Sequence, residues 1–600
     1  MRSFVGYLSL AVLSLQLVNA ADIEYSVVAF PKDQQAVSVV VGGQAFPLAA
    51  SAEYPNIFKG TAPSSETYAY SVGDVAETAR KQQAGITSTG NEFFNRTQTI
   101  FNIPGLPQAF NPIYHPLVSN MNRSNEVATL IMSANATGLA EILTNPLGDF
   151  DYTLISEMTY IANQEVFKFA QSGIKNSGKS TKEFAKQSYK VKMNEFVTTG
   201  SKQLFFGRST IKLRAHETDP TFVREKLMLD CLAASGAATL QGNYVRLFIN
   251  NEPFGLFLMI DDATDNFINN AMRAGNQKYQ YTGPTYKGNA MNPQLEGNLV
   301  YKDDLQESYN DTIYELEDAG NQKKALIKGA EKTPLIDFIK QLSLIDPTTA
   351  VDEASKGNIE KLLDPKHTMI HLALSYLTGS WDGVWHQASN YYLTQDTSSG
   401  QWTLISYDFD ETFGTGAPRY MSTTPYGNFS RPNSPRPLVD AFIKSPYYQA
   451  QFEEILKTLV KKFFKPSIIT PRLQAWADML RAEVEWDLSI PPKSPGLTTQ
   501  WTIWNFDNNL MLTDGESMGV AEWVEARATS LQTLLAFTDV DDLAPLDTYT
   551  PQGTWDAENY DKEPVKDKKD DTAEGAANKQ TIFSVATVLA VAVSVGQFLL

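Results

Sequence analysis

A single cysteine, Cys231, in 600 residues excludes an internal disulfide, so the fold depends on packing and not on covalent cross-links. It lies in EKLMLDCLAASGA, a helical pattern in which a free cysteine is expected to be buried. Basic charge is also scarce, since 50 Lys and Arg against 68 Asp and Glu give a formal charge of −18. A chain without a basic field cannot displace counterions from a phosphate backbone, which argues against nucleic acid as a partner. No internal repeat is evident. The 42% apolar content is that of an ordinary globular protein, and the length calls for at least two domains.

Both ends carry targeting patterns. Arg2, an apolar run from Phe4 to Val18 and the small-residue site Val18-Asn19-Ala20 predict a signal peptide over residues 1–20. Sequons at Asn95, Asn122, Asn135, Asn310 and Asn428 suit passage through a glycosylating pathway. Residues 576–600 end in a nearly uncharged apolar tail, preceded by Gly575-Ala576-Ala577 and a short polar spacer. This resembles a glycosylphosphatidylinositol (GPI) attachment signal, with Gly575 as the expected lipid-bearing residue. No Lys or Arg follows the tail, which disfavours a spanning helix.

Between these ends, residues 21–90 alternate apolar and polar positions in short runs, predicting a small β-sandwich, and 91–150 form a connecting region of mixed signals. Residues 151–265 combine strands with one helix, TFVREKLMLDCLAASGA, whose buried side is expected to carry Phe222, Leu227 and Leu232, with Arg224 and Glu225 nearer its edge. The hairpin NYVRLFINNEPFGLFLMIDD follows, its turn bracketed by Asn251 and Gly255. Residues 266–544 are mostly helical after a polar segment, 265–329, expected to be an insertion. Helical periodicity marks 335–344, 367–377, 438–464 and 471–488. Residues 545–575 are rich in Asp, Glu, Lys and Pro and predict a solvated stalk.

The richest chemistry lies in WDGVWHQASNYYLTQDTSSGQWTLISYDFDETFG, Trp381 to Gly414, which gathers Asp382, Asn390, Asp408 and Asp410 around a strand-turn-strand unit. Carboxylates and an amide oxygen are the hard ligands that Mg2+ selects, and a cation bridging phosphate oxygens is central to phosphoryl transfer. A lone Asp beside a turn is usually structural, but four such ligands together favour a nucleotide-metal site. The aromatic set Trp381, Trp385, Tyr391, Tyr392 and Trp402 is expected to pack beneath it. His386 is expected to be a packed loop residue and not a base. Gly173 to Ser180, GIKNSGKS, matches the letters of a Walker phosphate loop, but no strong apolar strand leads into it.

Strands with one helix, followed by a helical region bearing the carboxylates, is the order of a two-lobed protein kinase. IKLRAHETDPTFVREKL, YVRLFINNEPFGLFLMIDD, SWDGVWHQASNYYL and ISYDFDETFG resemble the spore-coat-protein-H (CotH) kinase family, and the chain is similar to its fungal GPI-anchored, invasin-like surface branch. The resemblance implies an α+β fold: an atypical two-lobed kinase-like domain behind the β-module. It also implies ATP with Mg2+ or Mn2+ as cofactors, and Ser or Thr of secreted or coat proteins as acceptors. Asp382 would be the catalytic carboxylate, Asn390 and Asp408 cation ligands, and Asp410 a second ligand or an orienting group. Lys212 suits a phosphate contact with Glu225 as its partner, Arg214 and Arg224 offer bidentate recognition, and Lys186 is the alternative lysine. Asp382 and Asn390 are spaced more widely than in the conventional kinase loop, and no His-Arg precedes Asp382.

Two uses of the block follow. One is an ATP-dependent kinase working in the secretory lumen on its way to a GPI-anchored place at the cell surface or wall. The other is a non-catalytic adhesin or invasin that binds a host receptor or coat protein, through the loop Tyr391 to Gln401.

Overall fold

The computed structural model describes residues 21–556, apart from positions 264, 322–325, 327 and 516. The expected signal peptide, Gly575 and the distal stalk lie outside the described residues. The architecture is mixed α+β.

Alternating side chains build the N-terminal strands: β1 (Asp22–Val28), β2 (Val37–Val41), β3 (Gln44–Ala50), β4 (Ile57–Pro63), β5 (Thr67–Val72), β6 (Val75–Ala76), β7 (Arg80–Lys81) and β8 (Ser88–Phe93). They share one hydrogen-bonded path, β6-β5-β2-β3-β4-β1-β8, with β7 paired to β5. Inward residues of β1, β2 and β5, among them Tyr25, Val39 and Tyr70, cluster as its core.

A second unit is a closed barrel of β9 (Val127–Ala134), β10 (Thr153–Ile161), β11 (Val166–Ser177), β12 (Ser188–Lys192), β13 (Thr210–Arg214), β14 (Gly242–Ile249) and β15 (Glu252–Asp261), in the order β10-β11-β12-β13-β15-β14-β9. Helix α1 (Ala136–Thr144) follows β9, and α2 (Arg224–Ala234) joins β13 to β14. Alternation along β13 sends Ile211 and Leu213 into the barrel core, so Lys212 and Arg214 point outward. Asn250 and Asn251, at φ 53° and 64°, form the two-residue turn between β14 and β15. Gly255 therefore does not bracket that turn. It lies beyond it at φ 117°, beside a register shift, where a Cβ would overlap the Asp487 carboxylate.

One further expectation changes here, and another holds. Arg224 and Glu225 do not sit at an exposed edge, because α2 is buried on nearly every side and its charges are neutralised by partners. The Walker-like letters do not form a phosphate loop. Gly173 to Ser177 belong to β11, and only a short 3-10 turn, Ser180–Glu183, follows.

The remaining chain runs through α3 (Asp265–Met272), β16 (Thr282–Gly288), the small hairpin β17 (Ala290–Asn292) and β18 (Leu295–Glu296), β19 (Tyr314–Asp318), α4 (Thr333–Ser343), α5 (Ile359–Leu362) and α6 (Pro365–Thr378). Then come β20 (Tyr391–Asp396), β21 (Trp402–Ser406), α7 (Pro437–Ile443), α8 (Pro446–Lys462), α9 (Pro466–Ser489), α10 (Ile503–Asn509) and α11 (Val520–Leu535). Within the polar segment 265–329, β16 takes an interior place in the sheet β19-β16-β20-β21, with Tyr286 buried. The periodicity over 438–464 is split into α7 and α8 at Ser445, which caps α8 ahead of Pro446. Pro471 sits within the first two turns of α9 without ending it.

The proximal stalk is docked along the folded body. Asp541 and Asp542 pair with Lys462 and Lys461, and Asn111 donates to the Asp547 carbonyl at 2.9 Å. The Val118 N–H donates to the Gly553 carbonyl at 3.0 Å, and the Val118 carbonyl accepts from the Trp555 N–H at 2.8 Å. The Trp555 ring meets Phe167 and Phe206 edge-on at 5.4 and 5.2 Å.

Candidate active site

Helix α6 aims the first carboxylate. Asp364 caps it by accepting from the His367 N–H at 2.8 Å, Pro365 opens it, and Gly379 ends it at φ 67°. A Cβ on Gly379 would overlap the Trp523 ring, so glycine is required there twice over. Three residues on lies Asp382. Its Oδ2 accepts from Asn390 Nδ2 at 2.7 Å, and the same amide donates to the Asp382 carbonyl at 3.0 Å. Both amide hydrogens are used, which leaves Asn390 Oδ1 as a free acceptor. The hairpin β20-β21 carries the chain from Asn390 to Asp408 and Asp410, so the eight-residue interval from Asp382 is spanned by a side-chain bond.

Arg214 gathers the other carboxylates. Its Nε donates to Glu225 Oε2 at 2.9 Å, and Nη2 reaches Asp410 Oδ1 at 3.0 Å and also Asp408 Oδ1. The Thr218 hydroxyl donates to Asp410. Glu225 is thus partnered by Arg214 and not by Lys212, as the sequence had suggested. The cause is geometric, because Arg214 sits one pleat nearer α2 and its planar fork serves several carboxylates at once. Lys212 lies close by, within electrostatic reach of Asp408, Glu225 and Asp262, but makes no hydrogen bond or ion pair with any described residue. Burial and Arg214 hold its pKa below the ordinary lysine value.

The other cationic candidates are engaged elsewhere. Lys186 is bound to Asp487 at 2.7 Å and to the Leu256 carbonyl at 2.8 Å, away from the carboxylate group. Arg224 is fully buried and gives its donors to Asp219, to Asn509 at 2.7 Å and to the Met518 carbonyl at 3.0 Å, so it is unavailable for phosphate.

Crowded acids titrate abnormally. Burial, then Asp408 and Asp410, push Asp382 up to about 7. Burial raises Asp408, and burial with only partial compensation by Arg214 raises Glu225 to about 7. For Asp410 burial acts upward, but Arg214 and Thr218 prevail and hold it low. Glu411, which motif reading passed over, is raised to about 9 by burial and then by Asp410, Asp382 and Asp408. Such divergence among neighbours is typical of functional sites. Backbone strain marks the same place, with Asn390 and Asp408 at φ 55° and 64°.

The flanking residues pack as expected. Trp385, Tyr391, Tyr392 and Trp402 are buried, and Trp381 donates to the Thr415 carbonyl at 3.0 Å. Burial lowers His386 to about 4, so it is neutral near physiological pH. Arg436, also absent from the motif reading, donates to the Trp385 and His386 carbonyls and pairs with Glu296 at 2.8 Å, fixing the loop after Asp382. Most of Tyr391 to Gln401 is a strand, with Tyr391 to Thr394 buried, so only its turn around Ser398 to Gly400 is exposed. Among the sequons, Asn95, Asn135, Asn310 and Asn428 are exposed, whereas Asn122 accepts from Lys226 at 3.0 Å.

The donor set suits a hard divalent cation, since every group in it presents oxygen and Asp408 and Asp410 act electrostatically on Asp382. Among the described residues no three His, Cys, Asp or Glu side chains form a ready-made metal cage. Mg2+ commonly takes only one or two carboxylates and completes its shell with phosphate oxygens and water, so the set fits. Among the described residues no helix is long and apolar enough to cross a membrane.

The chain is similar to several known proteins. The chain is 28% identical to invasin CotH3 of Rhizopus delemar over 544 residues, covering 87% of this chain and 86% of that protein. It is 27% identical to spore coat protein homolog 1 of the same organism over 565 residues, covering 90% and 86%. Inner spore coat protein H of Bacillus subtilis is 20% identical over 310 residues, 52% of this chain and 76% of that protein. Residues 174–531, well over half of the chain, match the model of the family described as CotH kinase protein, and every residue of the cluster around Arg214 and Asp382 falls within that span. The chain belongs to the CotH kinase protein family.

Proposed function

We propose that this protein is an atypical, ATP- and Mg2+- or Mn2+-dependent protein kinase that phosphorylates Ser or Thr of secreted or coat proteins in the secretory pathway. The barrel with α2 would serve as the small lobe, and the sheet β19-β16-β20-β21 with the helices as the large lobe. The observation that carries this reading is the grouping of Asp382 with Asn390, opposite an arginine that binds Glu225, Asp408 and Asp410 together. The acceptor hydroxyl would pass its proton to Asp382 as its oxygen bonds to the γ-phosphorus and the bond to ADP breaks. Asn390 Oδ1 and Asp408 would hold the cation, with Asp410 as a further ligand or orienting group. A bound cation would neutralise charge building on the phosphate oxygens. Lys212, uncommitted among the described residues, would contact phosphate, whereas Lys186 would have to leave Asp487 to do so.

The test is phosphate incorporation from labelled ATP into the protein itself or into casein. Labelling should require Mg2+ or Mn2+ and vanish in Asp382→Ala and Asp408→Ala. If the wild type neither labels a substrate nor binds nucleotide, this reading falls.

A second reading rests on the relatives named invasins and spore coat proteins, which suggest a surface or coat location. In it the protein, GPI-anchored at the cell surface and glycosylated on its exposed sequons, binds a host receptor or coat protein without turnover. Cell binding that persists in Asp408→Ala, and weakens when Ser398 to Gly400 is replaced, would favour it.

A further inference from the structure

The outer wall of the barrel carries a row of cations that the carboxylate site does not absorb. Lys175, Lys190 and Lys212 are directly opposite one another across β11, β12 and β13, and Arg214 lies two residues beyond Lys212. Their neighbours Ile174, Val191 and Ile211 face the barrel core, so the row faces outward. Like charges in direct register repel, and such a row needs anions opposite it.

Those anions come from the adjoining sheet and the end of β15. Lys190 Nζ lies 2.5 Å from Asp262 and 3.7 Å from Glu317 on β19. Glu317 also pairs with Lys287 of β16, and Glu315 lies 3.7 Å from Lys179 in the turn between β11 and β12. Lys175 rests over the Tyr152 ring at 4.8 Å. Lys212, between Lys190 and Arg214, has no anion of its own among the described residues. The stacked pair Tyr392 and Tyr407, 4.2 Å apart, lies between this group and Asp408.

We propose that Lys190 is a further polyphosphate-binding residue and that Asp262 is its electrostatic gate, holding Lys190 until phosphates of a nucleotide displace it. The proposal rests on the nucleotide reading above. A polyphosphate lying along Lys190, Lys212 and Arg214 would end at Asp408, and its charge would supply what the row lacks. Asp262 therefore competes with the ligand for Lys190, whereas Glu317 is committed to Lys287. Removing the Asp262 charge should tighten binding, where loss of a merely structural ion pair would weaken it.

The test is equilibrium binding of Mg-ATP, inorganic tripolyphosphate and AMP to the full chain, with thermal melts confirming that each variant folds. Asp262→Asn should bind Mg-ATP and tripolyphosphate about fivefold more tightly, and Lys190→Met about tenfold more weakly, the range of single charged contacts. AMP should change far less. The gain from Asp262→Asn should disappear in a Lys190→Met background. If the wild type binds Mg-ATP and folded Asp262→Asn binds equally or more weakly, the gate is overturned and the nucleotide reading stands. If neither binds any of the three probes, both fall together.

Discussion

Arg214 donates its Nε to Glu225 at 2.9 Å, so the link between the barrel wall and α2 is made by an arginine, two residues beyond the lysine that motif analogy favours. A planar guanidinium meets Glu225 with Nε and Asp408 and Asp410 with Nη2, two separate donor atoms in a fixed fork, whereas an ammonium is a single point of charge.

Arg214→Met should therefore abolish phosphate transfer and destabilise the fold by about 3–5 kcal/mol, because it strands buried carboxylates. Arg214→Lys should keep much of the stability and lose most of the activity. Thermal unfolding read beside ATP labelling separates the two effects.

Asn390 joins a chemical role to a strained backbone, and the two can be separated. Asn390→Gly accommodates φ 55° and should unfold within about 1 kcal/mol of wild type, yet lose labelling. Asn390→Ala should lose labelling and about 1 kcal/mol more, since alanine resists that conformation. Labelling preserved in the glycine variant would remove Asn390 from the mechanism.

Glu483 of α9 is gripped by Arg246 of β14, at 2.8 Å to Nε, and by Arg96 at 2.6 Å. It joins the barrel, the segment after the N-terminal sheet and the helices in one buried contact. Glu483→Ala leaves two guanidinium groups uncompensated and should cost about 3–5 kcal/mol, measured by denaturant unfolding.

Glu217 gives a pH signature whose charged partners, Lys186 and Asp487, are not members of the carboxylate cluster. Burial raises it from 4.5 to about 7, with Asp487 adding to the rise and Lys186 opposing it. Below pH 4.5 it is protonated in both folded and unfolded chains and costs nothing. As pH rises towards 7 the unfolded chain releases the proton first, so stability falls and stays lower above that point. Glu217→Gln should be neutral at pH 4 and stabilise by about 1–3 kcal/mol at pH 8. A gain of equal size at both pH values would refute this origin.

Local pattern revealed much of this molecule. The strand around Lys212 and the helical periodicity over 367–377 follow from side-chain periodicity, and the structure has both, whereas the hairpin turn falls on Asn250 and Asn251 and not between Asn251 and Gly255. The Asp382 to Gly414 block was visible because its ligands lie close in sequence. Partner choice was not visible. Whether Glu225 meets Lys212 or Arg214, and whether Lys186 faces phosphate or Asp487, depends on how a barrel wall meets helices more than a hundred residues away. The central position of β16 was hidden for a related reason, since Thr282 to Gly288 is polar and gains its place only by pairing with β19 and β20. Burial of Arg224 runs against its polarity and depends on buried partners, Asp219, Asn509 and the Met518 carbonyl, that lie far apart in sequence.

The docking of Trp555 has a mechanical consequence. Trp555 is seated against the barrel, although α11, about twenty residues earlier in the chain, packs against α6, α8 and α9. Tension on any downstream tether would load the backbone bridge at Val118 and the edge-on contacts of Trp555 with Phe167 and Phe206 first. The helices would be pulled only after that strap had peeled away.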